Sequence, residues 1–218
     1  MLGSNPMVTA IIDYGIGNLH SAVKAFQRVS RERNAGEVSV TSDPEAVARA
    51  DRIVLPGDGA FPACRGSLFA IDGLQEAVRE TVIERGRPLL GICVGMQLLA
   101  TRGHEFETVS GLDWIAGDVE PIRPREVGMK VPHMGWNEMV IDGSHPVLEG
   151  LITGDHAYFV HSYHFRVVDD AHRLAYCDYG GDITAIVGRE SIVGTQFHPE
   201  KSQAAGLRLI ANFMTWTP

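Results

Sequence analysis

The sequence predicts an α/β fold, with a central mixed and mostly parallel sheet and helices on both faces, and three observations carry that prediction. The first half alternates short β-rich runs with segments of helical apolar spacing, the second half turns to strand-like runs cut by Gly, Asp and Pro, and a final segment regains helical periodicity. Residues 8–13 (VTAIID) read as a strand, YGIGN as a glycine turn and residues 19–29 as a helix. The order repeats through Glu37–Thr41 as strand, Pro44–Arg49 as helix, 52–55 as strand, 74–85 as helix, 88–92 as strand and 95–101 as helix. Such alternation builds parallel strands covered on both faces. Between residues 114 and 193 the runs VEPI, MKVP, NEMVI, YFVHSYHF and AIVGRE predict additional antiparallel strands, and residues 207–216 a closing helix. No repeat, low-complexity tract or linker interrupts the pattern, so residues 8–218 are expected to form a single domain behind a loose leader, residues 1–7.

A chain of 218 residues with 44% apolar and 21% charged content can bury one sizeable core. Its 27 acidic against 19 basic side chains leave a net charge of −8, which opposes attraction to phosphate backbones and anionic lipid. Neither nucleic acid nor membrane is therefore an expected partner. No apolar stretch approaches the roughly 20 residues of a bilayer span, and the opening MLGSNPM lacks the features of a signal peptide. The three cysteines, Cys64, Cys93 and Cys177, form no CxxC pair, so neither a disulfide framework nor a zinc ribbon is encoded. The expectation is a reducing cytoplasm, with no cofactor and no metal.

One cysteine stands in a special context. Gly91-Ile92-Cys93-Val94-Gly95 follows a buried-type strand and precedes a helical run, the strand, sharp turn, helix setting of a nucleophile elbow. The flanking glycines permit a tight turn, the carboxyl edge of an open sheet is where such folds hold ligands, and a helix N-terminus favours the thiolate. Cys64 and Cys177 are expected to be small buried hydrophobes. A thiol needs a base and a group that orients the base. His198 and Glu200 of FHPE supply both, since an extended backbone before and after the proline would project residues two apart to one side. A zinc deaminase also uses HxE, but the PCxxC that such a site requires is missing from the sequence.

GxCxG and HPE in this order resemble the class I glutamine amidotransferases, whose triad is Cys, His and Glu, and the resemblance spans nearly the whole chain. Within that class DYGIGNLHS, LPGDGAF, GICVGMQLL, PHMGWN, FVHSY and QFHPEKSQAAGL are similar to the glutaminase subunits of imidazole glycerol phosphate synthases. GMQ in place of GHQ, and Lys201 directly after HPE, separate them from the glutaminases that serve anthranilate and aminodeoxychorismate synthases. The resemblance implies hydrolysis of L-glutamine by Cys93, His198 and Glu200, and delivery of ammonia to a partner (β/α)8 synthase subunit in a heterodimer. There it would form imidazole glycerol phosphate and an aminoimidazole carboxamide ribonucleotide in histidine biosynthesis.

The tetrahedral oxyanion of such a reaction needs backbone donors. Val94 N–H, just after the nucleophile, is one, and the resemblance points to Asp58 or Gly59 in PGDG for the other. Valine is the residue expected at position 58, so Asp58 is a departure that adds negative charge near the site. The glycines around it allow a peptide flip, while PGDG encodes a rigid turn equally well. Substrate contacts are expected from Gln97 and from the backbone at Ser162 and Tyr163, and a partner face from Asn18, Trp136, Asn137 and Lys201. Plain structural roles are open to the same residues: Gln97 as a polar cap, the FVHSYHF aromatics and Trp136 as core, Asn18 as a helix cap and Lys201 as a solvated charge. Rival functions are a glutaminase feeding chorismate chemistry, a stand-alone hydrolase of γ-glutamyl compounds and a non-catalytic interaction module.

Overall fold

The computed structural model describes residues 6–17, 19–125 and 128–218. In chain order it forms Val8–Ile12 (β1), His20–Arg33 (α1), Glu37–Thr41 (β2), Pro44–Arg49 (α2), Arg52–Gly57 (β3), Phe61–Ala70 (α3), Leu74–Arg79 (α4), Leu89–Cys93 (β4) and Val94–Gln97 (α5). There follow Arg102–Gly103 (β5), Val109–Ser110 (β6), Gly117–Pro121 (β7), His133–Glu138 (β8), Val140–Ile141 (β9), His156–His161 (β10), Tyr163–Val167 (β11), Arg173–Asp178 (β12), Asp182–Arg189 (β13), Ile192–Thr195 (β14) and Gln203–Thr215 (α6).

The main sheet has eight strands in the order β2-β1-β3-β4-β14-β13-β12-β9. Its pairings from β2 to β14 are parallel, and those from β14 through β13 and β12 to β9 are antiparallel. Every residue of β3, β4 and β14 is buried, which is why these strands read as continuous apolar runs with no alternation. Register then decides where the loops emerge: Gly57 pairs with Cys93, and Thr195 with Ile92. The PGDG loop, the cysteine turn and the segment leading to HPE therefore leave one sheet edge at one level.

Three local expectations change. The helix after Cys93 is a single turn, because the carbonyls of Leu98, Leu99 and Ala100 accept from the N–H groups of residues 112–115, which cross that position. A one-turn helix adds little dipole at the sulfur. MKVP forms no strand and instead leads through a cis Val131–Pro132 bond into β8. Helix α3 carries no clear apolar period and was missed for that reason.

The turn at Cys93 depends on close backbone contact. A Cβ on Gly95 would lie 1.9 Å from the Leu55 carbonyl oxygen, and one on Gly57 would lie 2.3 Å from Gly95 N. Neither neighbour is a flexible side chain that could move aside. Gly95→Ala should therefore cost on the order of 3 kcal/mol or more in chemical denaturation; a loss near zero would show that the turn can relax.

Candidate active site

Cys93 adopts φ 55° and ψ −115°, a conformation that L residues rarely take, and it is 4% exposed. Such backbone costs about 1–3 kcal/mol and persists only where the surroundings impose it. Here β4 ends at the cysteine and α5 begins after it, so the side chain is turned out of the sheet edge. His198 follows β14 in an extended conformation, with its N–H bonded to Tyr158 O at 3.1 Å. Ser202 fixes the same segment, donating its hydroxyl to His198 O at 2.7 Å and accepting from Tyr158 N–H at 3.0 Å.

His198 Nδ1 lies 2.9 Å from Glu200 Oε1, and both side chains are nearly buried. The expected pairing is present, although Glu200 reaches it from a 3-10 turn, Pro199–Lys201, and not from a continued extended segment. With Nδ1–H donating to the carboxylate, Nε2 is the nitrogen left for the sulfur. Burial disfavours an imidazolium here, but the side chains of Cys93 and Glu200 outweigh it and push His198 up to about 10. The ring is thus held protonated beside the Cys93 side chain. Cys64 and Cys177 are also buried, and burial pushes their thiols up to about 11 and about 12, which leaves them unreactive.

A cavity of about 240 Å³ opens onto Cys93 and is lined by Asp58, Gly59, Val94, Gln97, Ser162 and Tyr163 among others. The candidate oxyanion and substrate residues therefore share one cleft with Cys93. Asp58 is exposed, and its Oδ1 accepts Gly59 N–H at 2.9 Å, while its carbonyl accepts the Cys64 thiol at 3.1 Å. One of the two candidate donors in this loop is thus engaged by its neighbour's carboxylate. Gln97 is buried, and its Nε2 donates to Tyr163 O at 3.1 Å and Gln196 Oε1 at 3.0 Å. Both amide hydrogens are used, so only its carbonyl oxygen is left for a substrate. The carbonyls of Ser162 and Tyr163 are likewise engaged, by Ile122 N–H and by Gln97 and His161.

Sequence reasoning missed three residues here. Gln196 is fully buried and brings Nε2 to 3.8 Å from Cys93 Sγ; its place just before FHPE was the available signal, but as the last polar residue of a strand-like run it drew no notice. Glu105 lines the cavity from an irregular loop and accepts Phe61 N–H at 2.8 Å, with nothing local to announce it. His161 lines it too, on the buried side of β10. Of the expected partner residues, Trp136 is 47% exposed and so is not core. Lys201 is exposed beside a second cavity shared with Gly17, Asp58, His198 and Glu200. Asn137 is partly buried and donates to Asp178 O at 2.9 Å. Asn18 lies outside the described residues. Among the described residues no cluster of His, Cys, Asp and Glu could hold a metal ion, and no helix is long and apolar enough to cross a membrane.

The family model for glutamine amidotransferase class-I matches residues 10–216. The chain belongs to the class I glutamine amidotransferases. This amidotransferase is 65% identical over 212 residues to the imidazole glycerol phosphate synthase subunit HisH of Ruegeria pomeroyi, covering 97% of this chain and 100% of that one. The protein of the same name from Cereibacter sphaeroides is also 65% identical, with the same coverage. A crystal structure of a glutamine amidotransferase superposes with a TM-score of 0.70 over 94% of this chain and 98% of that one, at 20% identity, and so shares the fold.

Two predictions follow from the amidotransferase site. Gln196→Met removes the donor to sulfur and unpairs one Gln97 N–H, and should lower kcat/KM for glutamine about 10- to 100-fold with a cooperative thermal transition retained; an unchanged value would show the contact to be idle. Burial lowers His133 from near 6.5 to about 4 and His161 to about 3, and moves His145 and His164 the same way. The unfolded chain binds protons on these rings below about pH 6.5 while the folded one does not, so their stability is full above that pH and is lost as acid is added toward pH 4. His198, shifted upward, keeps its own contribution throughout that acid window. Tm should fall by several degrees between about pH 7 and about pH 5, and a flat profile would contradict the burial of these rings.

Proposed function

We propose that this chain is the glutaminase subunit of an imidazole glycerol phosphate synthase, acting in histidine biosynthesis with a (β/α)8 synthase subunit, in the cytoplasm. One observation carries the chemical half of that reading: the imidazole bonded to the Glu200 carboxylate is also held protonated by the side chain of Cys93, and that cysteine opens onto a cleft. Full-length similarity to the HisH subunits supports the biosynthetic half.

In the proposed mechanism the Cys93 thiolate attacks the side-chain amide carbon of L-glutamine, and the C–S bond forms as the carbonyl becomes an oxyanion. Val94 N–H donates to that oxygen, with a second donor from the Asp58–Gly59 stretch. His198, oriented by Glu200, gives its proton to the leaving nitrogen, the C–N bond breaks, and ammonia departs from a γ-glutamyl thioester. The same imidazole then takes a proton from water, which attacks the thioester, releases glutamate and restores the thiolate. The Asp58 carboxylate holding Gly59 N–H supports a resting loop whose second donor is engaged until the synthase subunit is loaded. Trp136, Asn137, Lys201 and Asn18 are assigned to the face that meets that subunit.

Cys93→Ala should abolish glutamate release with and without the synthase subunit, and the wild type should be stimulated by that subunit loaded with its nucleotide. Equal wild-type rates in both conditions would favour a stand-alone hydrolase. Lys201→Glu should weaken the complex at least several-fold in a titration, at low ionic strength most of all; unchanged affinity would remove Lys201 from the interface.

A further inference from the structure

Strands β8 and β10 pair as a separate two-stranded ribbon whose two faces do different things. Met134 and Trp136 are exposed on one face, while His133, Phe159 and His161 are buried on the other, as the alternation of side chains in a strand requires. Neither buried imidazole takes part in the thioester chemistry, yet both are fully engaged. His133 is stacked between Phe159 and Tyr179, at ring-centre distances of 4.7 and 4.0 Å.

Their hydrogen bonds form a chain with only one possible direction. Asn137 Nδ2 donates to Asp178 O at 2.9 Å and its Oδ1 accepts Glu138 N–H at 2.8 Å, so the orientation of this amide is fixed by main-chain groups. Its Nδ2 lies 3.3 Å from His133 Nε2, which must accept. His133 Nδ1 therefore carries the proton and donates to His161 Nε2 at 2.9 Å. His161 Nδ1 in turn donates to Tyr163 O at 2.8 Å, and a carbonyl can only accept. Tyr163 O also receives Gln97 Nε2, whose other hydrogen goes to Gln196 Oε1, which forces Gln196 Nε2 toward the Cys93 sulfur. Both ends of the network thus dictate every tautomer and every amide orientation between them.

We propose that His133 and His161 are positioning residues for the glutamine site, holding the Tyr163 carbonyl where it orients Gln97 along the wall of the substrate cleft. The inference rests on the glutaminase function proposed above. Protonating either ring would set two donors face to face, and burial keeps both neutral at pH 7. The effect belongs first on glutamine binding, because the network meets the cleft wall at Gln97 and reaches the sulfur only at one further remove, through Gln196.

The test uses the complex with the synthase subunit at saturating nucleotide. His161→Phe removes the donor to Tyr163 O, whereas His161→Asn keeps an N–H near the position of Nδ1. The phenylalanine variant should raise KM for glutamine about 10-fold with kcat changed much less, and the asparagine variant should recover most of that loss. Alkylation of Cys93 by iodoacetamide, which needs no glutamine pocket, should proceed at the wild-type rate in both. Should His161→Phe fail to fold, His133→Phe, which keeps a ring in the stack, is compared with wild type in the same assays and is expected to raise KM similarly. A wild-type KM in the phenylalanine variants, or equal KM values for Phe and Asn at position 161, overturns the proposal. Failure of the glutaminase reading itself would show separately, as no glutamate release by the wild-type complex.

Discussion

Everything at this site depends on one backbone residue held where it would not rest by choice. Cys93 sits at positive φ because β4 must stop and reverse into α5 within a single residue, while Gly57 and Gly95 let neighbouring backbones come closer than any Cβ would allow. The strain is offset by the burial of β3, β4 and β14 on either side, so the most rigid part of the sheet carries the most strained residue. In return the sulfur projects from the sheet edge toward an imidazole that arrives on the adjacent strand's continuation, and parallel register does the rest.

The parts of this arrangement written in local chemistry were legible in the sequence. Continuous apolar runs marked the buried parallel strands, glycines marked the elbow, and HPE marked a histidine beside a carboxylate. The parts that depend on tertiary contact were not. The helix expected over residues 95–101 is cut to one turn because residues 112–115 compete for its carbonyls, and nothing local in that stretch announces a competitor. Gln196 looked like the end of a strand, and only the convergence of β14 on β4 turns it into a neighbour of the sulfur. Trp136 was open to a core or a surface role, since a single aromatic in an alternating strand does not say which face is wet; the register of β8 against β10 decides it.

The polar interior of the cleft is organised by obligate donors and acceptors. Tyr163 O collects one N–H from Gln97 and one from His161, and Gln97 spends both hydrogens internally. Buried groups satisfied in this way are rigid, because any reorientation strands a donor in an apolar setting. Asp58 is a different kind of element, a carboxylate that takes the N–H of the residue after it in a loop with glycines on both sides. In the proposed reading the rigid wall holds substrate, and the loop that carries Asp58 is the part that changes on loading of the synthase subunit.

The most direct measurement is the capture of the intermediate. Acid quench of the complex turning over labelled glutamine, followed by digestion and mass spectrometry, should find a γ-glutamyl group on Cys93 and on neither Cys64 nor Cys177. A label on another residue, or active turnover with Cys93 free of any adduct under conditions that trap thioesters, would contradict nucleophilic catalysis at this turn.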